Sequence, residues 1–152
     1  MIEDYLSAED ITFDISGKDK FEIIEKLLSF LHERGRISDL HCAIQAVEHR
    51  ERVRATGLEK GVAIPHAKLD EDIRIVAGIA RLKEPVDFQA VDGTPCRHIV
   101  MILAKRVPGG AVHISALSTF ARVFVAAERM ARLDAARTPE EYFTILQEGD
   151  HA

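Results

Sequence analysis

Apolar and polar side chains alternate over Ile11-Thr12-Phe13-Asp14-Ile15, the two-residue period of a short half-buried strand. The period then changes. Ser16 and Asp19 have the spacing of a capping box, with Asp in place of the preferred Glu. Behind them Phe21, Ile24, Leu28 and Leu31 recur at helical spacing, and Leu27 and Phe30 widen the stripe. Gly35 after Arg34 is a natural left-handed stop. A second helix is predicted to start at Ser38 or Asp39, with Leu40, Ala43, Ile44 and Val47 on one face. Residues 53–64 are dense in glycine and β-branched side chains, and Pro65 closes them. Residues 73–82 and 99–104 are apolar on both alternating faces, the pattern of central strands covered on both sides. Residues 105–112, containing Pro108-Gly109-Gly110, read as a loop, and helical spacing resumes at Ile114, Leu117, Ala121 and Phe124. Thr138-Pro139-Glu140-Glu141 predicts the start of a last helix, with a capping Thr, Pro in the first turn and Glu three residues on.

Helices, then strands, then helices make a layered α/β domain. No internal repeat, low-complexity segment or long linker divides the chain, so residues 1–152 are expected to be one domain. The 47% apolar fraction supplies a conventional core and the 30% charged fraction covers it. The formal charge is 20 − 25 = −5. That balance argues against nucleic-acid binding, because phosphate backbones demand clustered positive charge. Cys42 and Cys96 are too few and too far apart for a disulfide framework or zinc knuckle, which suits reduced thiols in the cytoplasm. The chain opens on carboxylates rather than the lysines and apolar run of a signal peptide. Its longest strictly apolar stretch, residues 99–104, is six long, against about 20 for a membrane span, so no membrane insertion is expected.

None of this names a chemistry. That information sits between Arg50 and Asp70. Residues 62–64 read as a strand; Pro65 removes a backbone donor, fixes its own φ near about −65° and pushes Ile64 toward extended backbone. His66 is therefore presented at an abrupt strand end in a fixed direction. An imidazole with an ordinary pKa of about 6.5 is mostly neutral near pH 7 and offers a ring nitrogen as nucleophile or ligand. The other histidines, His32, His41, His49, His98 and His151, have no short metal-ligand spacing and read as structural or exposed. Lys68, Asp70, Glu71 and Asp72 read as a charged surface run, and Arg50 also suits a helix end on dipole grounds alone.

The ordered set Arg50-Glu51, Thr56-Gly57, Gly61, Val62-Ala63-Ile64 and Pro65-His66-Ala67-Lys68 resembles the active-site signature of the type-2 enzyme IIA domains of the bacterial phosphotransferase system, the fructose/mannitol class. The stand-alone nitrogen-regulatory members look most alike. A second landmark, a His before an apolar residue at the start of the helix after the last strand, is matched by His113-Ile114. Two positions depart from the pattern: Ala67 stands where Gly is frequent, and Ala55 where Ser is common.

The resemblance implies a mixed, mostly buried central sheet flanked by helices on both faces. It implies a phosphocarrier rather than a small-molecule enzyme, with no cofactor and no metal. His66 would accept a phosphoryl group through Nε2 from a histidine of HPr or an HPr-like protein, its other nitrogen held by a backbone hydrogen bond. His113 would donate a hydrogen bond to the phosphate, Arg50 would offset developing charge, and Thr56 would add a hydroxyl donor. The phosphorylation state would then regulate target proteins. Alternatives are a sugar-specific IIA that passes phosphate to a IIB protein, or an interaction module that no longer cycles.

Overall fold

Helix α1 (Lys20–Glu33) begins later than the Ser16 signal predicts. Asp19 is the cap, its carboxylate accepting from Glu22 N at 2.9 Å. Ile23, Ile24, Leu27, Leu28 and Leu31 are wholly buried along its inner face, and Gly35, at φ +75°, ends it as expected. Asp39 caps α2 (Leu40–Val53) through Cys42 N, and this helix buries Ala43, Val47 and Glu51. The computed structural model describes residues 1–107 and 111–151, the side chains of 111–114 excepted.

The five-stranded sheet has β4 (Val76–Val86) and β5 (Cys96–Lys105) antiparallel at its centre, Ile79 opposite Val100. Strand β1 (Ile11–Thr12) lies parallel outside β4. It is shorter than the alternation predicts, because Thr12 Oγ1 accepts from Asp14 N at 3.1 Å and turns the chain away. On the other side, β2 (Val62–Ala63) and β3 (His66–Leu69) both run parallel to β5, Val62 opposite His98 and His66 opposite Ile102. The two keep one register across the break at Ile64-Pro65, where Pro65 has no N–H but its carbonyl accepts from Ile102 N at 3.1 Å.

The sheet is therefore mixed and covered on both faces. Ile99, Met101 and Leu103 pack under α1 and α2. Val100 and Ile102 pack under α3 (Ala111–Val123), α4 (Ala127–Ala135) and α5 (Pro139–Asp150). Thr138 caps α5 through Glu141 N, with Pro139 in its first turn, as the sequence predicts. The periodicity shows no separate α4; its charged surface leaves only Met130 and Leu133 to bury. No helix among the described residues is long and apolar enough to cross a membrane.

His98 is one of the structural histidines. Its Nδ1 lies 2.7 Å from the Tyr142 hydroxyl and its Nε2 2.6 Å from Asp134 Oδ1, which a neutral ring satisfies by accepting from the phenol and donating to the carboxylate. Burial holds its pKa below the ordinary histidine value.

Candidate functional site

The site is built where α2 ends. Glu51 in the last turn of α2 is buried, and it accepts from Thr56 N at 2.9 Å and from Thr56 Oγ1 at 2.5 Å. The chain then turns through Lys60 and Gly61, both at positive φ, so that Leu58 N donates to Val62 O at 2.8 Å and Gly57 bridges Ala63. Ile64 N donates to Thr56 O at 3.1 Å. A short hairpin thus delivers Pro65 and His66 to the edge of the sheet.

His66 opens β3, half-buried, with Nδ1 2.8 Å from Ile64 O. A carbonyl only accepts, so Nδ1 carries the hydrogen and the lone pair of the neutral ring lies on Nε2. Burial pushes the His66 pKa below the ordinary 6.5 and the Arg50 charge adds to that, while the Ile64 carbonyl and the Glu51 charge oppose it. Arg50 and His66 line one cleft of about 400 Å³ with His49, Val53, Lys68 and Arg106. Arg50 is steered there by Nη1, which donates to Arg54 O at 2.9 Å. Arg106 is balanced by Asp70 at 3.1 Å.

The sequence expectations meet this geometry unevenly. His66 and Arg50 come together as expected. His113 lies in the first turn of α3, and its side chain is outside the described residues. Thr56, expected as a hydroxyl donor to phosphate, is 7% exposed and gives its hydroxyl proton to Glu51, so in this arrangement it supports the hairpin from beneath. Lys68, expected in a surface charge run, borders the cleft. Ala67 lies in extended backbone opposite Leu103, with no positive φ to require a glycine. The buried Glu51–Thr56 contact was not legible in the motif, which shows that Glu51 is present but not which way it points. Glu3, Asp150 and His151 bring ligand atoms within 4.8 Å of one another, but Asp150 is already held by Ile2 N and Arg122, and the group ties the two chain ends together.

The family profile described as "Phosphoenolpyruvate-dependent sugar phosphotransferase system, EIIA 2" matches residues 4–149. The chain is a type-2 enzyme IIA domain. A nitrogen regulatory protein of Klebsiella oxytoca is 33% identical over 136 residues, covering 88% of this chain and 80% of the relative. The fructose-specific EIIABC component of Bacillus subtilis is 28% identical over 149 residues, 98% of this chain, which spans only 23% of that longer protein. The crystal structure of the nitrogen regulatory protein IIA-Ntr from Neisseria meningitidis superposes with a TM-score of 0.85 at 29% identity, covering 95% of this chain and 98% of that one. The mixed sheet with helices on both faces is thus the fold the motif implies.

In this IIA domain the lowered His66 pKa has a measurable consequence. The ring titrates with a midpoint below 6.5 when followed by NMR through its carbon-bound protons, so it stays neutral across neutral pH. A folded-state pKa below the unfolded one means that the unfolded chain binds the proton first. The stabilising contribution is complete above about pH 6.5 and is lost as the pH falls from there through the folded-state midpoint. His98, whose pKa burial also lowers, adds a loss of the same sign that begins at the same pH. A His66 midpoint at or above 6.5 would contradict the burial argument.

Proposed function

We propose that this IIA domain is a phosphocarrier that takes a phosphoryl group from a phosphohistidine of HPr or an HPr-like protein onto His66 Nε2, and that its phosphorylation state regulates partner proteins. The observation that carries this reading is the Nδ1–H···O=C bond to Ile64, which fixes the lone pair on Nε2 in a ring sharing a cleft with Arg50. In the transfer the donor's P–N bond breaks, and its electron pair returns to the donor imidazole. The Nε2 lone pair forms the new P–N bond, and the Nδ1 proton stays in place. No proton has to leave the accepting ring. The transition state is loose, with charge spread over three equatorial oxygens, so catalysis is positioning and charge compensation. Arg50 supplies the cation, and the family motif implies His113 as the hydrogen-bond donor to the phosphate.

A second reading, a sugar-specific IIA passing its phosphate to a IIB protein, is supported by the likeness over nearly the whole chain to a fructose-specific EIIABC component. Both readings share the first step and part at the second. Incubation with phosphoenolpyruvate, enzyme I and HPr, followed by intact mass and peptide mapping, is expected to show one acid-labile phosphate on the peptide that holds His66. No adduct with any HPr-type donor, or an adduct on another residue, would overturn the phosphocarrier reading. Phosphate passing from the loaded domain to a IIB protein favours the sugar branch. Capture of a soluble partner by only one phosphorylation state favours regulation.

A further inference from the structure

We propose that Glu51, with Lys20 behind it, is a positioning residue for His66, acting through Thr56 and Ile64 to aim the imidazole. The inference rests on the phosphocarrier reading.

Glu51 occupies the inner face of α2 with Ala43 and Val47, where a leucine would continue the apolar stripe. It is 2% exposed, and a buried carboxylate is costly unless its oxygens are answered by donors. They are. Oε2 accepts from Lys20 Nζ at 3.1 Å and from Thr56 N at 2.9 Å, and Oε1 accepts from Thr56 Oγ1 at 2.5 Å. Lys20, the first residue of α1, is itself buried and also donates to Gln89 Oε1 at 2.7 Å. Among the described residues, the groups this carboxylate holds besides Lys20 both belong to Thr56. Thr56 O in turn receives Ile64 N, and Ile64 O receives His66 Nδ1. The chain of bonds therefore starts on a buried ion pair and ends on the imidazole.

Accepting a phosphoryl group at Nε2 while Nδ1 keeps its proton makes the ring cationic. Arg50 disfavours a cationic ring, whereas the Glu51 carboxylate favours it from inside a low-dielectric core. Lys20 pairs that carboxylate at 3.1 Å, so Glu51 acts on the ring chiefly through the bonds that aim it, and Arg50 serves the incoming phosphate.

The test compares wild type with Glu51→Gln, Thr56→Val and Thr56→Ser. It uses long-range proton–nitrogen NMR of the histidine rings in the unphosphorylated protein and the rate of phosphoryl uptake from phosphorylated HPr. Wild type shows the Nδ1–H tautomer at His66. Glu51→Gln lowers the His66 midpoint, mixes the tautomers and slows uptake about 10–100-fold. Thr56→Val mixes the tautomers and slows uptake in the same direction, and Thr56→Ser restores both, which keeps the test sound should Glu51→Gln fail to fold. The ring of His98, held by Tyr142 and Asp134, is unchanged throughout. Variants that melt earlier yet keep the wild-type His66 ring signals and uptake rate would overturn the proposal. Absence of uptake by wild type would overturn the phosphocarrier reading instead, and the ring signals would still decide whether Glu51 positions His66.

Discussion

His66→Ala incorporates phosphate from phosphorylated HPr at a rate lower by about three orders of magnitude or more, the scale on which removing a nucleophile acts. The expectation is this large because the remaining groups have nothing to act on: Arg50 compensates charge only when an acceptor atom is within reach of the phosphorus. The substitution is also expected to leave the fold intact. β3 is held by backbone pairing to β5, from His66 opposite Ile102 to Leu69 opposite Lys105, and by burial of Ala67 and Leu69, none of which needs an imidazole. His98→Ala reverses that signature. It leaves the Tyr142 hydroxyl without its ring acceptor and removes the ring's bond to Asp134 in a tight interior, costing about 1–3 kcal/mol or more in urea unfolding. Folded His98→Ala protein still takes up phosphate. Intact mass after incubation, read beside unfolding midpoints, separates the two histidines. An undiminished adduct on His66→Ala would end the assignment.

That the two histidines stand in such different surroundings was legible only in outline. Pro65 before His66 announces a fixed presentation, because proline acts on its immediate neighbours. The start of α5 is legible for the same reason: Thr138, Pro139 and Glu141 satisfy the helix end within one turn. The start of α1 was misplaced, since Ser16 has a capping side chain with an acid three residues on, whereas the helix begins where Lys20 can bury its ammonium against Glu51. No local rule sees a contact between residues 20 and 51. β3 escaped notice because Lys68 reads with Asp70, Glu71 and Asp72 as a charged surface run until β5 supplies a partner for every other peptide group. The formal charge of −5 was similarly uninformative about the site, because the cleft gathers His49, Arg50, Lys68 and Arg106 from three separate stretches of chain.

Gly57→Ala is expected to damage both stability and transfer, through space rather than backbone angle. Gly57 has no positive φ, so alanine could adopt its conformation. What alanine cannot do is fit. A Cβ at Gly57 would stand 2.7 Å from Ala90 Cα, 2.7 Å from Phe88 O and 2.9 Å from Ala90 N, all backbone atoms that have no rotamer to escape into. Either the 88–90 segment or the Thr56–Gly57 arm of the hairpin must move. Thr56 and Gly57 are buried on one side and Phe88 on the other, so neither side is free to absorb the clash alone and part of the shift falls on the hairpin arm. Shifting it strains the Gly57–Ala63 bridge and the Thr56–Ile64 bond, and with them the carbonyl that orients His66. Overpacking of this kind costs about 1–3 kcal/mol, and a displacement of about 1 Å at a reacting group costs about a hundredfold in rate. Gly78→Ala is the matched control. Its Cβ would meet Leu31 Cδ2 at 2.6 Å, again an overpacked contact, but against a side-chain end beneath α1 and away from the hairpin. Both variants should lose stability in urea unfolding, and only Gly57→Ala should lose uptake when rates are referred to folded protein. If Gly57→Ala took up phosphate as fast per folded molecule as Gly78→Ala, the hairpin would not be what aims the imidazole.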